Sequence, residues 1–396
     1  MNIKILYIIF FLQIYSADAQ THLNDHLGPE QGLSQNSIRC LLQDRNGKMW
    51  IGTSDGLNHF DGYDFVHVKR EPFNASSLSS DHINSLFQDK YGRIWVGTES
   101  GLDVLNEHGK WLFNVHLPTG EKKYITNVIG LNENEVAVTT LENVFIVDID
   151  VNKNKIIHDI SFTLDGKIRT LIPDKKGSLW IATTEGVLKL DRKADGYGVV
   201  KKIRNDHVSA LIPWQMSIDA QDNLWIIASG RLLFVDTKAD SIYLSEYVSD
   251  DYVLTSVYVD QGGELWIGSL ETGIDVYHIT TNGKLIPSDN VHPENANLYL
   301  NNTMIMTIYE SNDRNEDVVW IGTAEKGLYK YSRSKNGFKH YENYFAKTAQ
   351  AASVYYSILK DKNYLWAGTS KGLFRQNAKN GHVEKMNIKT PDVQAE

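Results

Sequence analysis

The chain holds a single cysteine, Cys40, among its 396 residues, so no internal disulfide can form. Lys and Arg do not outnumber the acids: 40 stand against 49 Asp and Glu, a formal net charge of −9. That balance argues against a nucleic-acid binder, which needs a basic face, and against docking on anionic lipid. Prolines are few, 8 in all, and no long amphipathic helical pattern appears. One apolar run exists, Ile5 to Leu12, and it is too short for a stable membrane span. No other segment approaches the length a span requires, so direct membrane insertion of the mature chain is not expected.

That run has the makings of an export signal. Lys4 supplies the charged region, Ile5 to Leu12 the apolar one, and Ala17-Asp18-Ala19 an A-x-A-type cleavage site. Residues 1–19 are therefore expected to be a signal peptide, with the mature chain beginning at Gln20. Cys40 lies too far past that point to carry a lipid and reads as a small buried hydrophobe. An exported chain without disulfides points to a bacterial periplasm.

What is present is aromatic: 20 Tyr, 13 Phe and 9 Trp, a composition suited to β-sheet. A tryptophan returns at a regular interval inside the phrase D-x-x-G-x-x-W-[IV]-G-T-x-x-G-L. The copies are clearest at Trp50, Trp95, Trp320 and Trp366, and looser at Trp180, Trp225 and Trp266. A degenerate copy places Val136 in the tryptophan slot. The steps are 45, 41, 44, 45, 41, 54 and 46 residues, the length of one four-stranded propeller blade.

The first copy shows the logic. Ile38 to Gln43 reads as the innermost strand and Asp44-Arg45-Asn46-Gly47 as a turn. Lys48 to Thr53 is the second strand, Ser54-Asp55-Gly56 a hairpin turn, Leu57 to Phe60 the third strand and Phe65 to Lys69 the fourth. Gly52 beside Trp50 would let a neighbouring sheet approach, and the indole would fill the gap between two blades. The seven tryptophans are thus blade-structure residues, not a sugar-stacking platform. The recurring turn aspartates, Asp44, Asp89, Asp174, Asp219, Asp260 and Asp361, would lie far apart around a ring and lack the density of a calcium loop. They read as turn caps. No metal and no cofactor is expected.

The expected architecture is all-β: a β-propeller of four-stranded blades. Seven copies end near Phe345, so one division is a seven-bladed propeller over residues 20–345, with 346–396 beginning a second propeller. The alternative is a single eight-bladed ring that takes 346–396 as its eighth blade. His22 to Gly28 stands where it would close the ring as an outer strand.

The repeat phrase resembles the two-component regulator propeller repeat. Gly28 to Gly62, GPEQGLSQNSIRCLLQDRNGKMWIGTSDGLNHFDG, is similar to the start of the periplasmic sensor of hybrid two-component regulators of glycan-degrading Gram-negative bacteria. The resemblance covers nearly the whole mature chain. It implies two seven-bladed propellers, an immunoglobulin-like domain, a membrane helix, then kinase, receiver and DNA-binding domains. This sequence has no phosphoacceptor helix or ATP-binding glycine boxes, so it reads as truncated before the kinase, with no catalytic or signalling output of its own.

Propellers bind ligands where the loops into the inner strands gather. Counting back six residues from each tryptophan to the turn aspartate, then five more, gives Arg39, Asn84, Arg169, Trp214 and Thr255. The degenerate copy supplies Thr126 and the seventh copy Ile305. This mostly polar ring at the channel mouth is the candidate ligand site, for a sugar or for ordered water. The loops before these strands, Ser34 to Ser37, Asp81-His82, Asn205 to His207, Asp250 to Tyr252 and Asn301-Asn302, are polar too. An acidic insertion, Ser311 to Asp317, lengthens the seventh copy and reads as a solvated hairpin.

Three functions compete. The first is a sensory module binding an oligosaccharide, implied by the resemblance. The second is a protein-interaction scaffold, such as a homodimer. The third is a propeller enzyme, a lyase or glycosidase. For a glycosidase of the sialidase type only Arg39 and Arg169 occupy the inner slot, with no Tyr–Glu nucleophile pair. For a lyase, His82 and His207 precede inner strands but read equally as surface residues. No catalytic residue is assigned.

Overall fold

The structure, a computed structural model, describes residues 26–117, 124–149, 156–159, 167–193, 196–203, 211–245, 253–270, 272–280, 283–288, 300, 303–311, 318–332, 355–361, 363–369, 372–377 and 383–386. The expected signal peptide, the loops Asn205 to His207, Asp250 to Tyr252 and Asn301-Asn302, and the insertion beyond Ser311 lie outside them.

Strands order into eight four-stranded antiparallel sheets, seven of them simple meanders and one completed by a strand from far earlier in the chain. The all-β propeller expectation is borne out. The only helix among the described residues is a single 3₁₀ turn, Pro29–Gln31. Chain contacts divide the protein into two units, 1–334 and 335–396.

In the first unit the innermost strands are Ile38–Gln43, Ile83–Gln88, Asn127–Gly130, Ile168–Pro173, Pro213–Ile218, Leu254–Val259 and Ile305–Glu310. Each touches the inner strand of the next sheet, and the last touches the first. The seventh sheet is completed by His26–Leu27, which pairs with Leu328 and Tyr329. Chain ends far apart in sequence are thereby fastened in one sheet, so no sheet in the ring is left short of its outer strand.

The second strand of each blade, for example Met49–Thr53 or Ile94–Thr98, is buried at every residue. It has a neighbouring sheet on both faces, which is why it reads as a continuous apolar run. Outer strands such as Phe65–Val68 are partly exposed.

The tryptophans sit in the seams. Trp50 packs with Ile83, Ile94 and Val96 of the following sheet. Trp95, Trp180, Trp225, Trp266 and Trp320 repeat the arrangement at their own seams, and Trp320 does so against Ile38, Leu41 and Ile51 of the first sheet. The glycine two residues on is a contact surface. A Cβ on Gly52 would lie 2.4 Å from Cys40 Sγ and 2.8 Å from Ile83, and Gly97, Gly268 and Gly322 are capped in the same way by Ile125, Ile305 and Ile38.

The turn aspartates do more than cap. Asp44 Oδ1 accepts from the Asn46 and Lys48 N–H groups, and Oδ2 accepts from Trp50 Nε1 at 2.9 Å. One carboxylate, with two acceptor oxygens, therefore ties the turn to the indole that fills the seam. Asp89–Trp95 (2.8 Å), Asp219–Trp225 (3.3 Å) and Asp260–Trp266 (2.7 Å) repeat the clamp. In the fourth sheet Lys189 Nζ takes Asp174 Oδ2 at 3.1 Å, and Trp180 Nε1 has no partner among the described residues.

The third sheet corrects the sequence alignment by one residue. Leu131 N–H bonds Glu135 O as Asp89 N–H bonds Arg93 O, and Thr140 takes the hairpin bonds that Thr98 makes. Ala137, not Val136, therefore holds the tryptophan position, and Leu131 holds that of the aspartate. Ala137 faces the fourth sheet, while Val136 faces back toward the second. With both members of the clamp gone, nothing in the local sequence marked the register.

The second unit is one sheet, Tyr355–Lys360, Tyr364–Thr369, Gly372–Asn377 and Val383–Lys385. Trp366 Nε1 donates to Asp361 Oδ2 at 2.8 Å, so the clamp is present here as well.

Candidate ligand site at the channel mouth

Pairing between the first two strands of a blade slips once, at the same place in six of the seven sheets. The breaks fall between Ile38 and Cys40, Ile83 and Ser85, Ile168 and Thr170, Pro213 and Gln215, Leu254 and Ser256, and Ile305 and Thr307. The residues skipped are Arg39, Asn84, Arg169, Trp214, Thr255 and Met306. A bulge residue leaves the ladder and is re-aimed by the local kink. Five of the seven residues expected from the sequence are thus bulge residues, which is why polar side chains occur on otherwise apolar strands.

Two expectations are corrected. Ile305 is fully buried and pairs with Thr323, and Met306 holds the slot. The acidic insertion lies between slot and tryptophan, so counting back from Trp320 misplaced it. Thr126 holds the equivalent chain position but turns into its own sheet: its N–H donates to Thr139 O at 2.8 Å, and its hydroxyl shares a 2.7 Å bond with Thr139 Oγ1.

The remaining slots fall into two groups. Arg39 Nε donates to Asn84 Oδ1 at 3.1 Å, Arg39 Nη2 to the Tyr124 hydroxyl at 3.4 Å, and Asn84 Nδ2 to Ile125 O at 2.9 Å. These bonds join the first three sheets across the mouth, and they show that slot residues of adjacent sheets come within hydrogen-bonding reach. On sheets four to six the slot side chains make no hydrogen bond with a described residue. Arg169 Nε and Thr255 Oγ1 are buried atoms with no partner among the described residues. Trp214 is 54% exposed, whereas the seam tryptophans of the ring are all buried. Gln35 Oε1 and Thr303 Oγ1, in loops leading to inner strands, are also unsatisfied. Buried polar atoms without partners are uncommon, and several here lie on or just before the inner strands.

The sequence reading missed Tyr124, Met306 and an apolar rim. Ile212, Val253 and Leu270 are exposed: Ser229 N–H donates to Ile212 O, Leu270 N–H donates to Val253 O, and Val253 lies against Gly230 of the fifth sheet. Hydrophobic residues just before the inner strands were the available signal. Cys40, beside Arg39, has its thiol pushed up to about 12 by burial, which outweighs the lowering effect of the guanidinium. It is a neutral packing group at neutral pH. His82 lies 3.4 Å from Glu99 on the surface, and His207 is outside the described residues. Among the described residues no three His, Cys, Asp or Glu side chains gather as metal ligands, and no helix is long and apolar enough to cross a membrane.

Fold and repeat together define a β-propeller in which an Asp–Trp clamp recurs in four of the ring sheets among the described residues. Residues 32–55 and 77–100 match the family model "Two component regulator propeller", so the chain carries that repeat and the resemblance read from the sequence holds. A segment of 50 residues, 13% of the chain and 4% of the relative, is 44% identical to Histidine kinase P4 of Formosa agariphila. Among solved structures, the fold is similar to a B. thetaiotaomicron protein described as the extracellular domain of a hybrid two component system. The TM-score is 0.60 at 21% identity, over 91% of this chain and 48% of that one. A second such domain from the same organism, described as belonging to a one component system, gives a TM-score of 0.58 at 18% identity, over 93% and 48%. Virginiamycin B lyase of Staphylococcus aureus gives 0.59 at 11% identity, over 78% and 98%. The chain spans about half the length of these two extracellular domains.

Proposed function

We propose that this chain is the periplasmic ligand-sensing propeller of a hybrid two-component regulator, with an oligosaccharide as its ligand and the channel mouth as the binding face. The observation that carries the reading is the set of bulge residues: a scaffold of near-identical blades puts a varied set of side chains at the same re-aimed position of six of the seven inner strands. Packing alone gives no reason for Arg, Asn, Arg, Trp, Thr and Met to alternate there, whereas a ligand with unlike faces does. On this reading residues 1–19 are an export signal, the seven-sheet ring is the sensor propeller and the following sheet begins a second one. The repeat family and the extracellular two-component structures support the assignment to a sensor.

Calorimetric titration of the purified mature chain with a panel of charged and neutral oligosaccharides tests it. Saturable heat for at least one, weakened by Trp214→Ala, is expected. A complete absence of heat across the panel would overturn it.

A protein-docking face is the second reading, favoured by exposed Ile212, Trp214, Val253 and Leu270 on the fifth and sixth sheets. Light scattering that shows a dimer disrupted by Val253→Glu would select it. A lyase resembling the virginiamycin enzyme has no comparable support, since no His–acid cluster is assembled at the mouth among the described residues.

A further inference from the structure

We infer that the sensed saccharide is acidic, and that its charged sugar sits on the arc formed by Arg169, Trp214 and Thr255 on sheets four to six. The inference rests on the reading of the mouth as a saccharide site and adds the ligand's class and its seat.

The two arginines of the slot ring are the starting point. They occupy the same bulge in different sheets but differ in commitment. Arg39 spends its guanidinium on Asn84 and Tyr124, and so reinforces the wall. Arg169 makes no hydrogen bond or ion pair with any described residue, and its Nε is shielded from water. A buried donor left unpaired costs free energy, and a site whose ligand supplies the missing acceptor recovers it. Thr255 is in the same state: the residue is 4% exposed and its hydroxyl is unpartnered.

Between them stands Trp214. The inner strands of the fourth, fifth and sixth sheets touch in succession, so the three slot residues follow one another around the mouth. A broad apolar ring face with polar groups on either side matches a pyranose, whose C–H face is apolar and whose rim carries hydroxyls. A neutral sugar needs hydrogen-bond partners but no fixed charge. A guanidinium with no counter-ion among the described residues favours a planar or tripodal oxyanion, a carboxylate or sulfate, through charge-assisted bonds that are stronger than neutral ones. In a chain of net charge −9, a half-buried arginine at the mouth with no acidic partner among the described residues is a specific feature rather than a consequence of composition.

The test uses the mature chain and three matched tetrasaccharides: an oligogalacturonate, its carboxyl-reduced neutral counterpart and a sulfated galactan. Calorimetry is run on the wild type, Arg169→Gln, Arg169→Lys and Trp214→Ala, with thermal melts to verify folding. At least one acidic probe is expected to bind about tenfold or more tighter than the neutral one, a margin that shrinks with salt. Which acidic probe wins separates carboxylate from sulfate recognition. Arg169→Gln is expected to erase that margin and Arg169→Lys to restore part of it, while Trp214→Ala weakens every probe. Equal or tighter binding of the neutral probe overturns the inference and leaves the saccharide reading standing. A preference that survives in folded Arg169→Gln also overturns it. Absence of binding by all three probes overturns the inference, and silence across the wider panel removes the underlying reading with it.

Discussion

Two seams of the ring do the same task with different chemistry. Between the first and second sheets, Trp50 fills the gap, Asp44 holds its indole and Gly52 admits Ile83. Between the third and fourth, Ala137 replaces the tryptophan, Leu131 the aspartate and Thr139 the glycine. That seam is filled from the other side, by Ile168, Leu179, Leu188 and the buried Tyr197 of the fourth sheet. It is tied by Arg192, whose guanidinium donates to both oxygens of Glu135 at 2.7 and 2.8 Å. Burial raises the Tyr197 phenol above its ordinary value, and the nearby Glu135 carboxylate adds to the rise, so it stays protonated. Volume and one satisfied carboxylate are what the seam requires; the residue that delivers the volume is interchangeable.

Truncation separates the two most sharply. Trp50→Ala empties a seam with no second source of volume and is expected to cost about 3–5 kcal/mol in urea unfolding. Ala137→Gly in the other seam should cost about 1 kcal/mol, mostly through backbone entropy. A comparable loss at both positions would break the contrast.

The clamp comes next. Asp44→Ala removes the acceptor of two turn N–H groups and of the buried Trp50 N–H, and should cost about 1–3 kcal/mol. In the third sheet the corresponding electrostatic tie is the Glu135–Arg192 fork. A double-mutant cycle with Glu135→Gln and Arg192→Met should give a coupling of about 1 kcal/mol that weakens with salt, because the arginine is largely exposed.

The smallest effect concerns the fourth sheet, where Asp174 serves Lys189 in place of the indole. Burial opposes ionisation of Asp174, yet Lys189 and the N–H groups of Ser178 and Lys176 outweigh it and hold its carboxyl below the usual range. A depressed folded pKa stabilises the fold above the unfolded value of about 3.9 and loses that contribution as pH falls through the folded value. Thermal melts in acid should therefore show a shallower decline for Asp174→Asn than for the wild type. Parallel curves would mean that the ionised Asp174 carboxylate contributes nothing to the acid dependence.

The repeat was legible because the clamp is local: aspartate, glycine and tryptophan lie within seven residues, and their spacing survives in most copies. The strands, the turns and five of the bulge positions followed by counting. Where the clamp is missing, at Ala137, the count slipped by one residue. Where an insertion interrupts it, before Trp320, the slot went to Ile305 instead of Met306. The purpose of the aspartate was only half legible. Turn capping is a backbone property visible in sequence, but the bond from Asp44 Oδ2 to the indole depends on the path of two strands. The difference between Arg39 and Arg169 was not legible at all, since both are arginines at one register position.

By itself the sequence determined the blade: a period of repeated indoles, turn residues at fixed offsets and small residues beside each indole specify a four-stranded sheet that cannot bury both faces alone. Tertiary structure decided what each copy does with its position. Partners such as Asn84, Tyr124 and Arg192 come from other sheets, so whether a side chain is spent on the wall, as Arg39 is, or left for a ligand, as we propose for Arg169, depends on contacts that no local pattern encodes.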